Sequence, residues 1–219
     1  MSAYVARPKH GTATAGILVF QEAFGVNEHI RHVADRFAEF GFLAVAPELF
    51  HRTAPGFEGS YTDFGPIREI MGAMTADGIN ADIDASYSWL LGQGVESKRI
   101  AAVGYCMGGR VAYMANSLVP LGAAVSYYGG GIAPDLLPLA RTQRAPLLMF
   151  WGGLDTHIPA EQYRAVADAL TAAGATHEHV IFGQADHGFN CDVRASYNPV
   201  ASRQAWVLVE EFFAAYGVL

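Results

Sequence analysis

The chain has 219 residues, of which 52% are hydrophobic and 16% are charged, and its formal net charge is −7. This composition predicts a single globular domain over residues 1–219 and excludes a disordered chain. The acidic balance and the lack of a basic run argue against nucleic acids and anionic membranes as partners. With two cysteines, no apolar leader and no membrane-length segment, we expect a cytoplasmic protein, a monomer or at most a dimer.

Short apolar runs alternate with amphipathic helical patterns along the whole chain. The apolar runs predict strands at 16–20, 42–50, 99–106, 122–130, 146–153 and 176–182. The helical patterns lie at 26–41, 80–91, 107–118, 159–174 and 198–217, and a long glycine- and proline-rich loop covers 51–66. Strands that are apolar on both faces and separated by helices predict an α/β fold with a mostly parallel sheet covered by helices on both sides.

Polar side chains follow four of the predicted strands at the point where each strand ends. Glu22 follows the first strand, Cys106 the third, Asp155 the fifth and His187 the sixth. Because binding sites in open α/β sheets form beyond the carboxyl ends of the strands, we expect these four side chains to meet at one edge of the sheet.

The pentapeptide from Gly104 to Gly108 has the pattern G-x-C-x-G between a strand and a helix. This is the nucleophile-elbow pattern, with Cys106 in the place of the usual serine. A helix N-terminus and a nearby histidine both lower the pKa of a thiol, which favours the reactive thiolate. The order of nucleophile, Asp155 and His187 along the chain also agrees with a hydrolase triad.

Several segments resemble the dienelactone hydrolase family of the α/β-hydrolase fold. They include "VFQEAFG", "VGYCMGGRVAY", "FWGGLDTHIP" and "ADHGF", and the resemblance extends from about residue 16 to the last helix. It implies a single-domain α/β-hydrolase fold and hydrolysis of a small ester or lactone. No organic cofactor or metal is expected for this chemistry.

The resemblance implies a catalytic triad of Cys106, Asp155 and His187. The thiolate would attack the carbonyl and form a thioester, while the histidine moves the proton and the aspartate orients the imidazole. The N–H of Met107 follows the nucleophile and would be one oxyanion donor, and the resemblance implies that Ala23 supplies the second.

The resemblance also implies that Glu22 lies beside the nucleophile and takes part in its activation. A carboxylate near the thiol raises the cost of a free thiolate in the resting enzyme. If substrate moves that carboxylate, the thiolate forms only when it is needed, which would also limit oxidation of the thiol.

One substrate-binding feature of the family is absent from the sequence. The family binds a substrate carboxylate with arginines, one of them four residues after the catalytic histidine, but here that position is Cys191. Arg194 is the nearest basic residue, and Arg68 is a possible match for the second arginine. We therefore expect a more neutral lactone or short ester, with Tyr127, Arg68 and Cys191 in the substrate pocket.

The main prediction is a hydrolase that cleaves a small lactone or ester, of the carboxymethylenebutenolide type or a related one, through a thioester on Cys106. The first alternative is a carboxylesterase of broad specificity. Alternatives from other classes are a thiol redox protein that uses Cys106 and Cys191, and a non-catalytic ligand-binding relative. His177 and His179 share a strand face, but no third ligand lies near them, so no metal site is predicted.

Overall fold

The computed structural model describes all 219 residues of the chain. Its strands are β1 (Ala3–Ala6), β2 (Ala15–Phe20), β3 (Phe42–Pro47), β4 (Ile100–Tyr105), β5 (Ala123–Tyr127), β6 (Leu147–Gly152) and β7 (His177–Phe182). Its α-helices are α1 (Glu28–Glu39), α2 (Gly65–Gly72), α3 (Ala76–Gly92), α4 (Met107–Leu118), α5 (Ala160–Ala173) and α6 (Pro199–Ala215).

The seven strands form one sheet in the order β1-β3-β2-β4-β5-β6-β7. Only β1 is antiparallel, and it lies at an edge of the sheet. Every residue of β2, β3, β4, β5 and β6 is buried. Because successive side chains of a strand point to opposite faces, both faces of the central sheet must be covered. The mostly parallel α/β architecture predicted from the sequence is confirmed.

The central strands β2 and β4 are hydrogen-bonded neighbours, and Phe20 is level with Gly104 in their parallel register. Continued by two residues, this register places Glu22 level with Cys106 at the carboxyl edge of the sheet. Strand β5 lies on the other side of β4. The residues that follow β2, β4 and β5 therefore border one another in that order.

The structure differs from the sequence prediction at three elements. The edge strand β1 was not predicted, because it is short and only its last residue is buried. Helix α2 begins at the end of the predicted loop. Helix α3 begins at Ala76 instead of near Asn80, because the Thr75 side chain caps it by accepting a hydrogen bond from the N–H of Gly78. No helix combines the length and apolar character needed to cross a bilayer.

Candidate active site

Cys106 lies on the turn between β4 and α4 in a strained backbone conformation. Its φ of 54° and ψ of −116° lie in a region that L-residues seldom occupy. The turn is so tight that a Cβ on Gly104 would lie 1.9 Å from the carbonyl oxygen of Gly108. Only glycine fits at position 104, and the close turn holds the Cys106 side chain out at the N-terminus of α4.

Gly108 allows the end of β2 to pack directly against the first turn of α4. A Cβ at this position would lie 2.3 Å from the carbonyl oxygen of Phe20 and 2.5 Å from that of Gln21. This close approach brings the backbone of Ala23, just beyond β2, next to the start of α4. Met107 is the first helical residue, so its N–H has no carbonyl partner one turn earlier in the helix. Both N–H groups predicted as oxyanion donors thus belong to segments in close contact.

The imidazole of His187 is held by Asp155. Asp155 Oδ2 lies 2.7 Å from His187 Nδ1, and Asp155 Oδ1 accepts hydrogen bonds from the N–H groups of His157 and Ile158, at 2.8 and 3.1 Å. Asp186, the neighbouring residue in sequence, binds the backbone N–H of His187 instead of the ring. The structure therefore assigns Asp155 as the group that orients the ring, with Nε2 free to face the cavity.

Asp155 and His187 each stabilise the charged form of the other. Burial alone would lower the pKa of His187, but the hydrogen bond with Asp155 and the interaction with Cys106 raise this pKa to about 10. Burial alone would likewise raise the pKa of Asp155, but the bonds from His187, His157 and Ile158 hold this pKa below its ordinary value. At neutral pH the pair is therefore an imidazolium and a carboxylate.

Glu22 forms an ion pair with Arg194 next to the nucleophile. Arg194 Nη1 lies 3.2 Å from Glu22 Oε1, the Glu22 side chain is 1% exposed, and Glu22 Oε2 has no hydrogen-bond partner. The Arg194 guanidinium also lies 5.4 Å from the centre of the Phe24 ring. Position 191 carries no arginine, but Arg194, three residues further along the chain, lines the cavity.

Cys191 does not occupy the place that the sequence suggested. It is fully buried, it does not line the cavity, and its Sγ lies 3.5 Å from the hydroxyl of Tyr61, to which it donates. Burial is the main cause that raises the pKa of its thiol to about 11. Cys191 is therefore corrected from a pocket residue to a neutral buried one, and both cysteines are free.

His29 completes a buried polar cluster beneath the Glu22 carboxylate. One donor atom each from Glu22, His29 and Cys191 lies within 4.8 Å of the others. Burial lowers the pKa of His29, so this imidazole is neutral at pH 7. Because its neighbours His29 and Cys191 are neutral, the charge of Glu22 is balanced by Arg194 alone. Nothing in the sequence spacing indicated this cluster.

Tyr127 is also corrected. Its ring is buried in the core between Tyr105 and Phe150, with ring centroids 4.7 and 4.6 Å away, and it does not line the cavity. The next residue, Tyr128, lies closer to the catalytic groups. Its ring centroid is 5.1 Å from that of His187, and its φ is 38°. The two tyrosines have different environments because β5 ends at Tyr127 and the backbone turns at Tyr128.

A cavity of about 560 Å³ opens over the nucleophile. Its 13 lining residues include no aspartate or glutamate, although the chain carries 21 of them. They are Phe24, Phe64, Arg68, Met71, Cys106, Met107, Arg110, Gly130, Gly131, His157, Ile158, His187 and Arg194. Arg68 is exposed at the rim of the cavity, and Arg110 lines the cavity although no sequence pattern indicated it. The cavity is therefore locally electropositive in an acidic protein.

Comparisons with known proteins agree with this geometry. The model of the dienelactone hydrolase family matches residues 1–217. A Salmonella typhimurium protein provisionally named carboxymethylenebutenolidase is 37% identical, over 99% of this chain and 83% of the relative. A Synechocystis protein with the same provisional name is 36% identical, over 97% of this chain and 91% of the relative.

A solved structure from Klebsiella pneumoniae, provisionally described as a dienelactone hydrolase, superposes with a TM-score of 0.88 at 34% identity. The match covers 98% of this chain and 92% of the other. The fold, the elbow and the family match agree with one another. The chain therefore belongs to the dienelactone hydrolase family and is an ester or lactone hydrolase.

Proposed function

We propose that the protein hydrolyses a small lactone or ester with an anionic group, and that the reaction passes through a thioester on Cys106. One observation carries the proposal: Cys106, His187 and Arg194 line the same cavity, and Arg194 is paired with the buried carboxylate of Glu22. A nucleophile, an acid and an anion-binding cation are then within reach of one small substrate.

The first step is activation of the thiol. Despite the opposing effect of burial, Asp155 and Cys106 raise the pKa of His187 to about 10, which favours His187 as the proton donor of the later step. When the anionic group of the substrate binds Arg194, Glu22 is released from its ion pair and accepts the thiol proton. The ladder between β2 and β4 ends at Phe20 and Gly104, so Glu22 and Cys106 each lie two residues beyond its last pair, and this supports the role.

The thiolate then attacks the carbonyl carbon, and the N–H groups of Met107 and Ala23 bind the oxyanion. Removing one such donor typically costs about 2.7–4 kcal/mol of transition-state stabilisation. The C–O bond breaks as His187 gives its proton to the departing oxygen, which leaves a thioester and a neutral imidazole. His187 next takes a proton from water, the hydroxide attacks the thioester, and the thiolate departs and recovers its proton from Glu22.

Enol lactones with a carboxylate suit this site best. Their enol oxygen is a good leaving group, and their carboxylate matches the planar guanidinium of Arg194, which binds carboxylates through two parallel hydrogen bonds. The provisional names of the relatives point to a substrate of this class. This replaces the more neutral substrate that the sequence favoured, because Arg194 supplies the cation that position 191 lacks.

The test compares hydrolysis of a carboxylated dienelactone and of a neutral aryl acetate by the wild type, Cys106→Ala and, as a matched control, Cys191→Ala. We expect the dienelactone to be cleaved faster, Cys106→Ala to be inactive and Cys191→Ala to stay active. Rapid quenching and mass spectrometry should find an acyl group on Cys106.

Faster cleavage of the neutral ester would favour a broad carboxylesterase. Undiminished activity of Cys106→Ala would overturn the thioester mechanism. Loss of activity in Cys191→Ala, together with peroxide-dependent loss of both free thiols, would favour the redox alternative.

A further inference from the structure

Arg110 lines the catalytic cavity without any partner of its own. It lies on the first turn of α4, four residues after Cys106. Its side chain makes no ion pair within 4.0 Å and no hydrogen bond, and its Nε is buried and unpaired. The residue is half-buried, and its buried Nε is a donor without an acceptor, whereas most buried polar groups have a partner. An arginine in this state within an active site is ready to bind an anion.

The backbone around Arg110 leaves room for the guanidinium at the cavity wall. A Cβ on Gly131 would lie 3.1 Å from Arg110 Nη1, and Gly131 has a φ of +77°, which favours glycine. The loop that follows β5 therefore accommodates the guanidinium because it has no side chain at this position. No carboxylate is among the residues that line the cavity, so no acidic residue competes there for Arg110.

Arg110 and Arg194 reach the cavity from different elements. Arg194 pairs with Glu22, which follows β2, and its guanidinium also lies against Gly188, beyond β7, where a Cβ would come within 2.2 Å of Nη1. Arg110 Nη1 lies beside Gly131, which follows β5. The cavity over Cys106 therefore holds two guanidinium groups with separate surroundings.

We propose that Arg110 forms a second anion subsite in this cavity, so that the preferred substrate is an ester or lactone with two acidic groups. This inference rests on the proposed function and narrows its substrate class from monoanions to dianions. Arg194 binds the anion that releases Glu22, and Arg110 binds the other one. Two guanidinium contacts at fixed positions also orient the carbonyl over the thiol. Such positioning of the reacting groups lowers the activation barrier.

The test uses four esters that differ only in where they carry a carboxylate. Phenyl acetate carries none, phenyl hemiglutarate carries one on the acyl side, 4-acetoxybenzoate carries one on the aryl side, and the hemiglutarate of 4-hydroxybenzoate carries both. We expect the wild type to have its highest kcat/KM for the dianion. Arg110→Gln should lower the ratio of dianion to phenyl acetate by about tenfold to a hundredfold, as expected for the loss of a charge-assisted hydrogen bond.

The two single-anion esters separate the subsites. One of them should respond mainly to Arg110→Gln and the other mainly to Arg194→Gln, and Arg110→Lys should restore part of the lost ratio. Arg203→Gln is the matched control, because Arg203 is exposed on α6 and does not line the cavity. Melting temperatures show whether each variant is folded.

Two results would overturn the inference. The first is a wild type that turns over phenyl acetate and the monoanions but gains nothing from the second carboxylate. The second is an Arg110→Gln variant whose kcat/KM changes by the same factor for all four esters. If the wild type cleaves none of the four, the proposed function fails and this inference fails with it.

Discussion

Replacing Asp155 by asparagine removes one charge from the site and little volume. In the wild type, Oδ2 lies 2.7 Å from His187 Nδ1, and Oδ1 accepts two backbone hydrogen bonds. The amide oxygen of asparagine can keep those backbone bonds, but its NH₂ group must then face Nδ1. This contact favours the tautomer with the proton on Nε2. Protonation of the imidazole then costs more free energy than in the wild type.

The size of the effect follows from the pKa of His187. Burial lowers this pKa, yet Asp155 and Cys106 raise it from 6.5 to about 10. At 1.36 kcal/mol per unit this is about 5 kcal/mol in favour of the imidazolium. Without the carboxylate, burial dominates, and we expect the pKa to fall below 7. Loss of the correct tautomer should lower kcat by about 10⁴-fold, the magnitude found for such a change in a serine protease triad.

The same change has a signature in stability. A folded-state pKa raised above the unfolded value of 6.5 contributes stability that is complete below pH 6.5 and is lost as the pH rises through 10. The lowered pKa of Asp155 contributes stability above its ordinary value of 3.8 that is lost as the pH falls through the folded value. The melting temperature of the wild type should therefore exceed that of Asp155→Asn most at about pH 5–6, and the difference should shrink towards pH 10.

NMR titration of the imidazole, melting curves at pH 6, 8 and 10, and kcat give three independent measurements. Asp186→Asn is the matched control, because Asp186 binds only the backbone N–H of His187. An equal pKa of the imidazole in wild type and Asp155→Asn would contradict this prediction. So would a loss of activity in Asp186→Asn as large as that in Asp155→Asn.

Three further predictions concern the elbow and the thiols. Gly108→Ala should lower the free energy of unfolding by about 1–3 kcal/mol and should reduce kcat, because its Cβ would meet two carbonyl oxygens. Gly92→Ala is the control and should not destabilise, because the space around Gly92 is open. Urea unfolding and kcat are measured for both variants. Cys106→Gly should be more stable than Cys106→Ala by about 1–3 kcal/mol, because glycine tolerates a φ of 54°, and equal stability would exclude strain at the elbow. Iodoacetamide should label only Cys106 in the folded protein and Cys191 after denaturation, because Cys191 is fully buried; labelling of both in the folded state would contradict this.

Much of the site follows from one rule about parallel sheets. Cys106 and Asp155 follow the buried strands β4 and β6, and His187 follows the edge strand β7, which has no buried residue. The buried apolar strands are the easiest elements of this sequence to predict. Once the strands are parallel, their ends must share an edge, so side chains 81 residues apart in sequence can meet. The short edge strand β1 was missed because it buries a single residue and leaves no periodic signal.

The cations of the site could not be placed in the same way. Arg194 lies in a loop, where chain spacing does not determine which way a long side chain turns, and its ion pair with Glu22 joins residues 172 positions apart. Arg110 lies on α4, which the hydrophobic pattern of the sequence predicts correctly. That pattern cannot show whether a polar helix position faces a cavity or the solvent. The proposed substrate class rests on both arginines, and only the three-dimensional arrangement places them in the cavity.

The ion pair between Glu22 and Arg194 explains why specificity should appear in kcat more than in KM. In the proposed mechanism, a substrate anion must break the ion pair between Glu22 and Arg194, and this cost lowers the net free energy of binding. The broken pair leaves Glu22 able to accept the thiol proton, so the gain comes when the thiolate forms and attacks. Interactions realised after binding raise kcat and leave KM little changed. In the proposed mechanism a neutral ester can enter the cavity but cannot make this exchange, so it does not trigger transfer of the thiol proton to Glu22.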